Sequence, residues 1–272
     1  MKNIIKNQKL VQNKNRVINI LAALFIFSAI IASCKKDDDT NTNTNTSSGY
    51  QQVNLVSDLS TYSGARVDPN LANAWGIAIA NTEGADYIYA ANFKGNTIDV
   101  FDGNFNYFPA SATTFKDPAL PAGYAPFNIY NHDGKLYVAY AKQLAPDNED
   151  DEKGVGNGYI DIFDPNGTLE KRFASNGSLN SPWAIVDAPS GFGLGDDVIL
   201  IGNFGDGKIN VFGSDGSSRG QLMENGNVIA IDGLWALAFP ENGIPAGDQN
   251  QLFFTAGPQD EAHGLFGYLK HK

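Results

Sequence analysis

Asp260, Glu261 and His263 bring two carboxylates and an imidazole within four residues near the C-terminal end. Such a set can exchange protons near neutral pH or supply oxygen and nitrogen ligands to a divalent cation. The plainer reading is a hydrogen-bonded loop, because the remaining ligands must be brought from elsewhere in the fold. A second acidic run, Asp147-Asn-Glu-Asp-Asp-Glu152, has oxygens that suit calcium. It departs from the EF-hand pattern, since Glu152 stands where the turn glycine belongs, and it reads as a solvated charge run. Asn92 and Asn203 occupy equivalent places in two Asn-Phe pairs, and Asp206 follows the second. These three join Asp260, Glu261 and His263 as candidate binding residues. Asparagine at a tight turn more commonly tolerates left-handed backbone and bonds locally.

No catalytic residue and no metal ligand is assigned. Gly154 to Gly158 and Gly191 to Gly195 are glycine-rich but lack the third-glycine spacing of dinucleotide loops, and both read as turns. The patterns G-x-S-x-G, C-x-x-C and H-E-x-x-H do not occur, and there are three histidines in all. No cofactor is expected, calcium being the one candidate. The 19 Lys and Arg face 30 Asp and Glu, and five of the basic residues lie in positions 1–33, where there is no acid. The chain beyond them carries a net charge of −16 with His neutral. A negative field of that size opposes binding to phosphate backbones, so nucleic acid is not an expected partner.

The elements that would position these residues follow from an internal repeat. Trp75, Phe127, Trp183 and Trp235 are spaced by 52, 56 and 52 residues. Each opens a first strand. A second follows at Tyr87–Ala91, Lys135–Tyr140, Val198–Ile201 and Gln251–Thr255. A third reads Ile98-Asp-Val-Phe101, Ile160-Asp-Ile-Phe163, Ile209-Asn-Val-Phe212 and, more weakly, Leu265-Phe-Gly-Tyr268. A fourth is expected near Tyr107, at Leu169–Phe173 and at Gln221–Met223. β-branched and aromatic runs between Gly, Asn and Asp turns are strand signals, and no helical period stands out after residue 50. The expected fold is all-β, a β-propeller of about four blades over residues 50–272. A spare strand at Gln51–Val56 would close the last blade and leave no open sheet edge. The repeated aromatics read as packing between blades, with an aromatic collar around a channel ligand as the alternative. Loops joining second to third strands would share one face with the loops leading into first strands, which hold Arg66, Asp68, Asp117 and Asp232; a site is expected there.

Residues 1–33 carry Lys2, Lys6, Lys9, Lys14 and Arg16 ahead of an apolar run from Val17 to Ala32. That is the order of a secretory signal, a membrane-spanning helix being the alternative near its lower length limit. The run ends in Ile31-Ala-Ser-Cys34, which resembles the bacterial lipobox. The resemblance implies that Cys34, the one cysteine, is lipidated and becomes the first residue of the mature chain. Lys35-Lys-Asp-Asp-Asp39 resembles the export signal of Bacteroidetes surface lipoproteins. From Thr40 the chain alternates Thr and Asn before Ser47-Ser48, and residues 34–49 read as a lipidated cysteine followed by a flexible polar tether. The partners this implies are a membrane through the lipid anchor and a protein or glycan ligand. The location it implies is the outer membrane, at the cell surface or else facing the periplasm.

Several stretches resemble an uncharacterised bacterial β-propeller family of the NHL/YVTN-like repeat type, some members of which carry a C-terminal sorting signal. They include Ala65-Arg-Val-Asp-Pro-Asn-Leu-Ala-Asn-Ala-Trp-Gly76, Gly202-Asn-Phe-Gly-Asp-Gly207, Ile231-Asp-Gly-Leu-Trp235 and Thr255-Ala-Gly-Pro-Gln-Asp-Glu-Ala-His-Gly-Leu-Phe-Gly267. Here repeat-length sequence is missing between the first Trp-Gly strand and the Ala90-Ala-Asn-Phe93 strand, which leaves four repeats. The repeat architecture and the absence of a recognisable catalytic set point to a non-catalytic binding or scaffold module with a protein or glycan ligand. The more distant likeness to gluconolactonase-like enzymes implies, as the alternative, a divalent-metal-dependent hydrolase of the lactonase type.

Overall fold

The computed structural model describes residues 56–57, 60, 66–67, 76–82, 85–109, 111, 114–240 and 248–271; for 56–57 and 76–85 it describes the backbone alone. Cys34, the apolar run before it, the polar tether and Trp75 lie outside the described residues.

Two short strands, β1 (Val56–Ser57) and β2 (Arg66–Val67), pair in parallel. Four antiparallel meanders follow. The first is β3 (Gly76–Thr82), β4 (Ala85–Asn92), β5 (Thr97–Asp102) and β6 (Tyr107–Phe108). The second is β7 (Tyr124–His132), β8 (Lys135–Lys142), β9 (Gly158–Phe163) and β10 (Leu169–Ser175). The third is β11 (Pro182–Ala188), β12 (Val198–Asn203), β13 (Ile209–Gly213) and β14 (Ser218–Gln221). A hairpin of β15 (Met223–Glu224) and β16 (Asn227–Val228) precedes the last sheet, β17 (Leu234–Ala238), β18 (Gln251–Ala256) and β19 (Leu265–Lys270). The protein is all-β, and one 3₁₀ turn, Ser190–Phe192, interrupts the strands among the described residues.

The middle sheets are covered on both faces, which is why their strands are apolar at nearly every position rather than at alternate ones. Residues of opposite parity serve opposite neighbours. Leu136, Val138 and Tyr140 face Tyr89, Ala91 and Ile98 of the first sheet. Tyr137 and Ala139 face Ile185, Ile199 and Ile201 of the third. Val198, Leu200 and Val211 in turn meet Leu234, Leu237 and Leu252 of the fourth. The first strands run in series, with β7 against β3 and β11, and β11 against β17.

The repeat aromatics meet where those first strands converge. Trp235 lies 5.4 Å from Trp183 and 6.4 Å from Phe127, centroid to centroid. Phe204 and Phe93 complete the cluster, at 4.2 Å from Trp235 and 5.0 Å from Phe127. Phe127 is fully buried. Where a ligand channel was the alternative, these rings pack on one another.

Of the strand expected to close the last blade, Gln51–Leu55 lie outside the described residues; Val56 and the following Ser57 pair in parallel with Arg66–Val67. Among the described strands β19 is an edge, and its far face leaves Phe266 and Tyr268 exposed.

Candidate functional site

Three of the connections between second and third strands and one loop leading into a first strand do come together. They line an open cup of about 460 Å³. The β8–β9 connection supplies Asp150 and Lys153, the β12–β13 turn supplies Phe204 to Gly207, and the β18–β19 loop supplies Gly257, Asp260 and Glu261. Asp232 and Gly233 come from the loop before β17. Five carboxylates and one ammonium therefore face the same space.

Local backbone chemistry makes the walls. Gly207 and Gly233 both have positive φ, and a Cβ at either would run into a carbonyl oxygen, of Ile231 and Gly257 respectively. Only glycine lets these loops cross so closely. The crossings are closed by Ile231 N–H donating to the Gly207 carbonyl at 2.9 Å and Gly257 N–H donating to that of Gly233 at 2.8 Å. Gln259, Asp260 and Glu261 are three successive left-handed residues, with φ of 58°, 51° and 62°. Each costs roughly 1–2 kcal/mol relative to ordinary backbone, and strain of this kind gathers at ligand clamps. The Gln259 N–H donates to Asp232 Oδ2 at 2.9 Å, and the Trp235 indole N–H donates to Glu261 Oε1 at 2.8 Å. The cup is thus fastened to the aromatic cluster below it. Lys153 Nζ stands 4.5 Å from the Phe204 ring centre, a cation–π distance.

The candidate residues divide. Asp206, Asp260 and Glu261 line the cup. Asn92 and Asn203 are not part of that lining: both are buried and hydrogen-bonded within or beside their own turns. Asn92 Oδ1 accepts from the Gly95 N–H at 2.9 Å, and Asn203 Nδ2 donates to the Ser178 carbonyl and to Asp206 Oδ1. Neither has left-handed backbone; that role falls to Asn96. His263 is exposed and not part of the cup lining. Among the described residues no three His, Cys, Asp or Glu side chains converge to hold a metal ion.

The acidic run is not simply solvated. Glu149 pairs with Lys94 at 2.5 Å and Glu152 with Lys142 at 2.7 Å. Asp151 is 5% exposed, and neither of its carboxylate oxygens is hydrogen-bonded. Burial pushes its pKa from 3.8 up to about 6, while the nearby Ser181 hydroxyl and Lys153 pull against that and Asp150 adds to it. Between about pH 4 and pH 6 the folded chain holds a proton that the unfolded chain has lost, so stability falls as pH rises through this window and stays lower above it. Asp161, also pushed up to about 6 by burial, titrates in the same window. Asp151→Asn is expected to remove about half the slope and to stabilise the protein at pH 7 by on the order of 2–3 kcal/mol. Urea midpoints measured from pH 4 to 7 check this; an unchanged slope contradicts it.

Sequence reasoning missed a second polar set. The position after the Ile of each clear third strand is buried: Asp99, Asp161 and Asn210 are 3%, 0% and 0% exposed. Each has its own partner. Arg66 lies 3.8 Å from Asp99, Arg172 bridges Asp161 and Asp117, and Asn203 and Gln221 hold Asn210. The signal was present in the sequence as a polar residue recurring inside an apolar strand.

No family model matches the chain. It is 39% identical over 198 residues to an uncharacterised protein of Acanthamoeba polyphaga mimivirus, covering 71% of this chain and 47% of that protein. A second uncharacterised protein of the same virus is 35% identical over 198 residues, covering 71% of this chain and 50% of its own length. The chain spans about half the length of these relatives, which are viral and not bacterial. Among solved structures it is similar to a protein of unknown function from Bacteroides caccae, with a TM-score of 0.40 and 16% identity over 71% of this chain and 56% of that one. It is also similar to an α-L-arabinofuranosidase of Fusarium graminearum, with a TM-score of 0.47 and 13% identity over 74% of this chain and 60% of that one.

Proposed function

We propose that this chain is a binding module whose cup takes a basic side chain of a protein ligand. The observation that carries the reading is that the chain's own Lys153 already lies over Phe204 in a cup ringed by five carboxylates. A lysine or arginine from a partner finds the same aromatic face and the same charge, and the net charge of −16 on the chain beyond residue 33 steers cations toward it. The cup has a surplus of carboxylates, so a basic protein segment suits it better than a neutral glycan does. The left-handed run at Gln259–Glu261 supplies a wall held in place against strain. Binding of a lysine-rich peptide, read by fluorescence of Trp235 and its neighbours, tests this. Asp260→Lys and Asp150→Lys are each expected to weaken binding about tenfold, and affinity is expected to fall with added salt. Binding that ignores both changes and salt contradicts the reading.

In this reading the four meanders are the blades of a four-bladed β-propeller, with a strand from residues 51–56 latching the last blade. The serial contact of β3, β7, β11 and β17 supports it, as does the position of β19 at the edge of its sheet among the described strands. The module is carried on a lipid at Cys34 and held off the outer membrane by residues 34–49, facing the cell exterior. That part rests on the lipobox-like end of the apolar run, and more than one acyl chain makes such anchoring stable. In a Gram-negative host the full chain is expected to incorporate labelled palmitate and pellet with membranes, and Cys34→Ser to do neither. An unlabelled, unpelleted wild-type chain contradicts it.

A further inference from the structure

A second cavity, of about 170 Å³, lies where the β6–β7 connection crosses the seam between the first two sheets. Tyr140 lines it and is 2% exposed, and its hydroxyl has no hydrogen-bond partner. Phe115 and Tyr124, both buried, form apolar walls, and Lys116 donates to the Asn96 carbonyl at 3.2 Å on the rim. The Arg172 guanidinium spans Asp117, on the cavity wall, and Asp161, whose Oδ2 is buried without a partner.

We propose that this cavity is a binding site for one neutral, polyhydroxylated ring, a monosaccharide unit, with a ligand hydroxyl accepting the Tyr140 proton. A buried phenol without an acceptor is costly, and an alcohol relieves that cost while passing its own proton onward. One structural water is a poor substitute. The space admits several waters, and a buried water needs two to four polar partners of its own. The ligand is neutral because Lys116, Asp117, Asp161 and Arg172 already balance, and a further charge at the seam would be unpaired. It is a ring because flat aromatic walls pack against the C–H faces of a sugar. This site is independent of the cup and of the basic ligand proposed for it.

Nuclear magnetic resonance titration of the isotope-labelled protein with glucose, galactose and mannose tests the proposal. At least one sugar is expected to give saturable shifts confined to residues 115–124 and 140. Tyr140→Phe is expected to weaken that binding about tenfold or more while the thermal midpoint stays level or rises, since an unpaired hydroxyl is removed. Ala122→Trp, an exposed change at the mouth, is expected to block binding without touching the interior, and it decides the matter should Tyr140→Phe not fold. The proposal is overturned by the absence of saturable shifts from all three sugars, by shifts elsewhere, or by binding that neither substitution alters. A lowered midpoint in Tyr140→Phe with unaltered binding means structural water only and also overturns it. Failure of the peptide to bind the cup bears on neither the location of these shifts nor the Tyr140 result.

Discussion

Phe127→Ala is expected to cost about 3–5 kcal/mol, the largest loss from any single apolar truncation here. The ring is fully buried and touches the aromatic members of two other sheets, Phe93 at 5.0 Å and Trp235 at 6.4 Å, besides Phe204 at 6.2 Å. Its removal leaves a void bounded by rings rooted in different sheets, and strands held by their own ladders cannot collapse to fill it. A domain with a total stability of roughly 5–15 kcal/mol loses about a fifth of it or more. Urea unfolding followed by circular dichroism reads the loss directly. A cost under about 1 kcal/mol would mean that the aromatics do not share one packed centre.

Arg172→Ala is expected to be comparably damaging, at about 3–5 kcal/mol near neutral pH. The guanidinium bridges Asp161 and Asp117, whose side chains are 0% and 4% exposed, and it lies 4.6 Å from the centre of the Tyr159 ring. Without it two buried carboxylates face each other unpaired. Burial already pushes Asp161 up to about 6, so its protonation should shrink the penalty at lower pH. The third sheet suggests the repair. At the equivalent pairing, Asn210 accepts from Gln221 at 2.9 Å with no charge on either side. The double change Asp161→Asn with Arg172→Gln is therefore expected to recover much of the loss, though Asp117 stays unpaired. Stability of the single and double variants at pH 5 and pH 7 checks both claims. A double variant no better than Arg172→Ala contradicts them.

The strands were legible because each repeat begins with an aromatic and the middle sheets bury both faces, so runs such as Leu136-Tyr-Val-Ala-Tyr140 stand out even without alternation. The β15–β16 hairpin escaped notice since it consists of two-residue strands around Asn225-Gly226, too short to carry a pattern. The site face could be inferred from the meander alone, which places alternate connections at one end. What the sequence could not supply was proximity across loops. Lys153 and Phe204 are 51 positions apart and meet only because the second and third sheets pack side by side. Asn92 and Asn203 stayed open between two readings for a related reason: a repeated asparagine is equally what a turn and a ligand site need, and the local bonds to Gly95 and Asp206 are visible only in the fold. Asp161 was overlooked because an acid within an apolar strand reads as outward-facing unless its arginine, eleven residues on, is known to face it across the β9–β10 pair.

Amide hydrogen exchange with and without a lysine-rich peptide tests the shared cup most directly. Residues 150–153, 203–207, 230–233 and 257–261 come from separate sheets and should gain protection together, at one peptide concentration and reversed by salt. Protection limited to one of these segments, or spread over strands away from them, would show that the loops do not act as a single site.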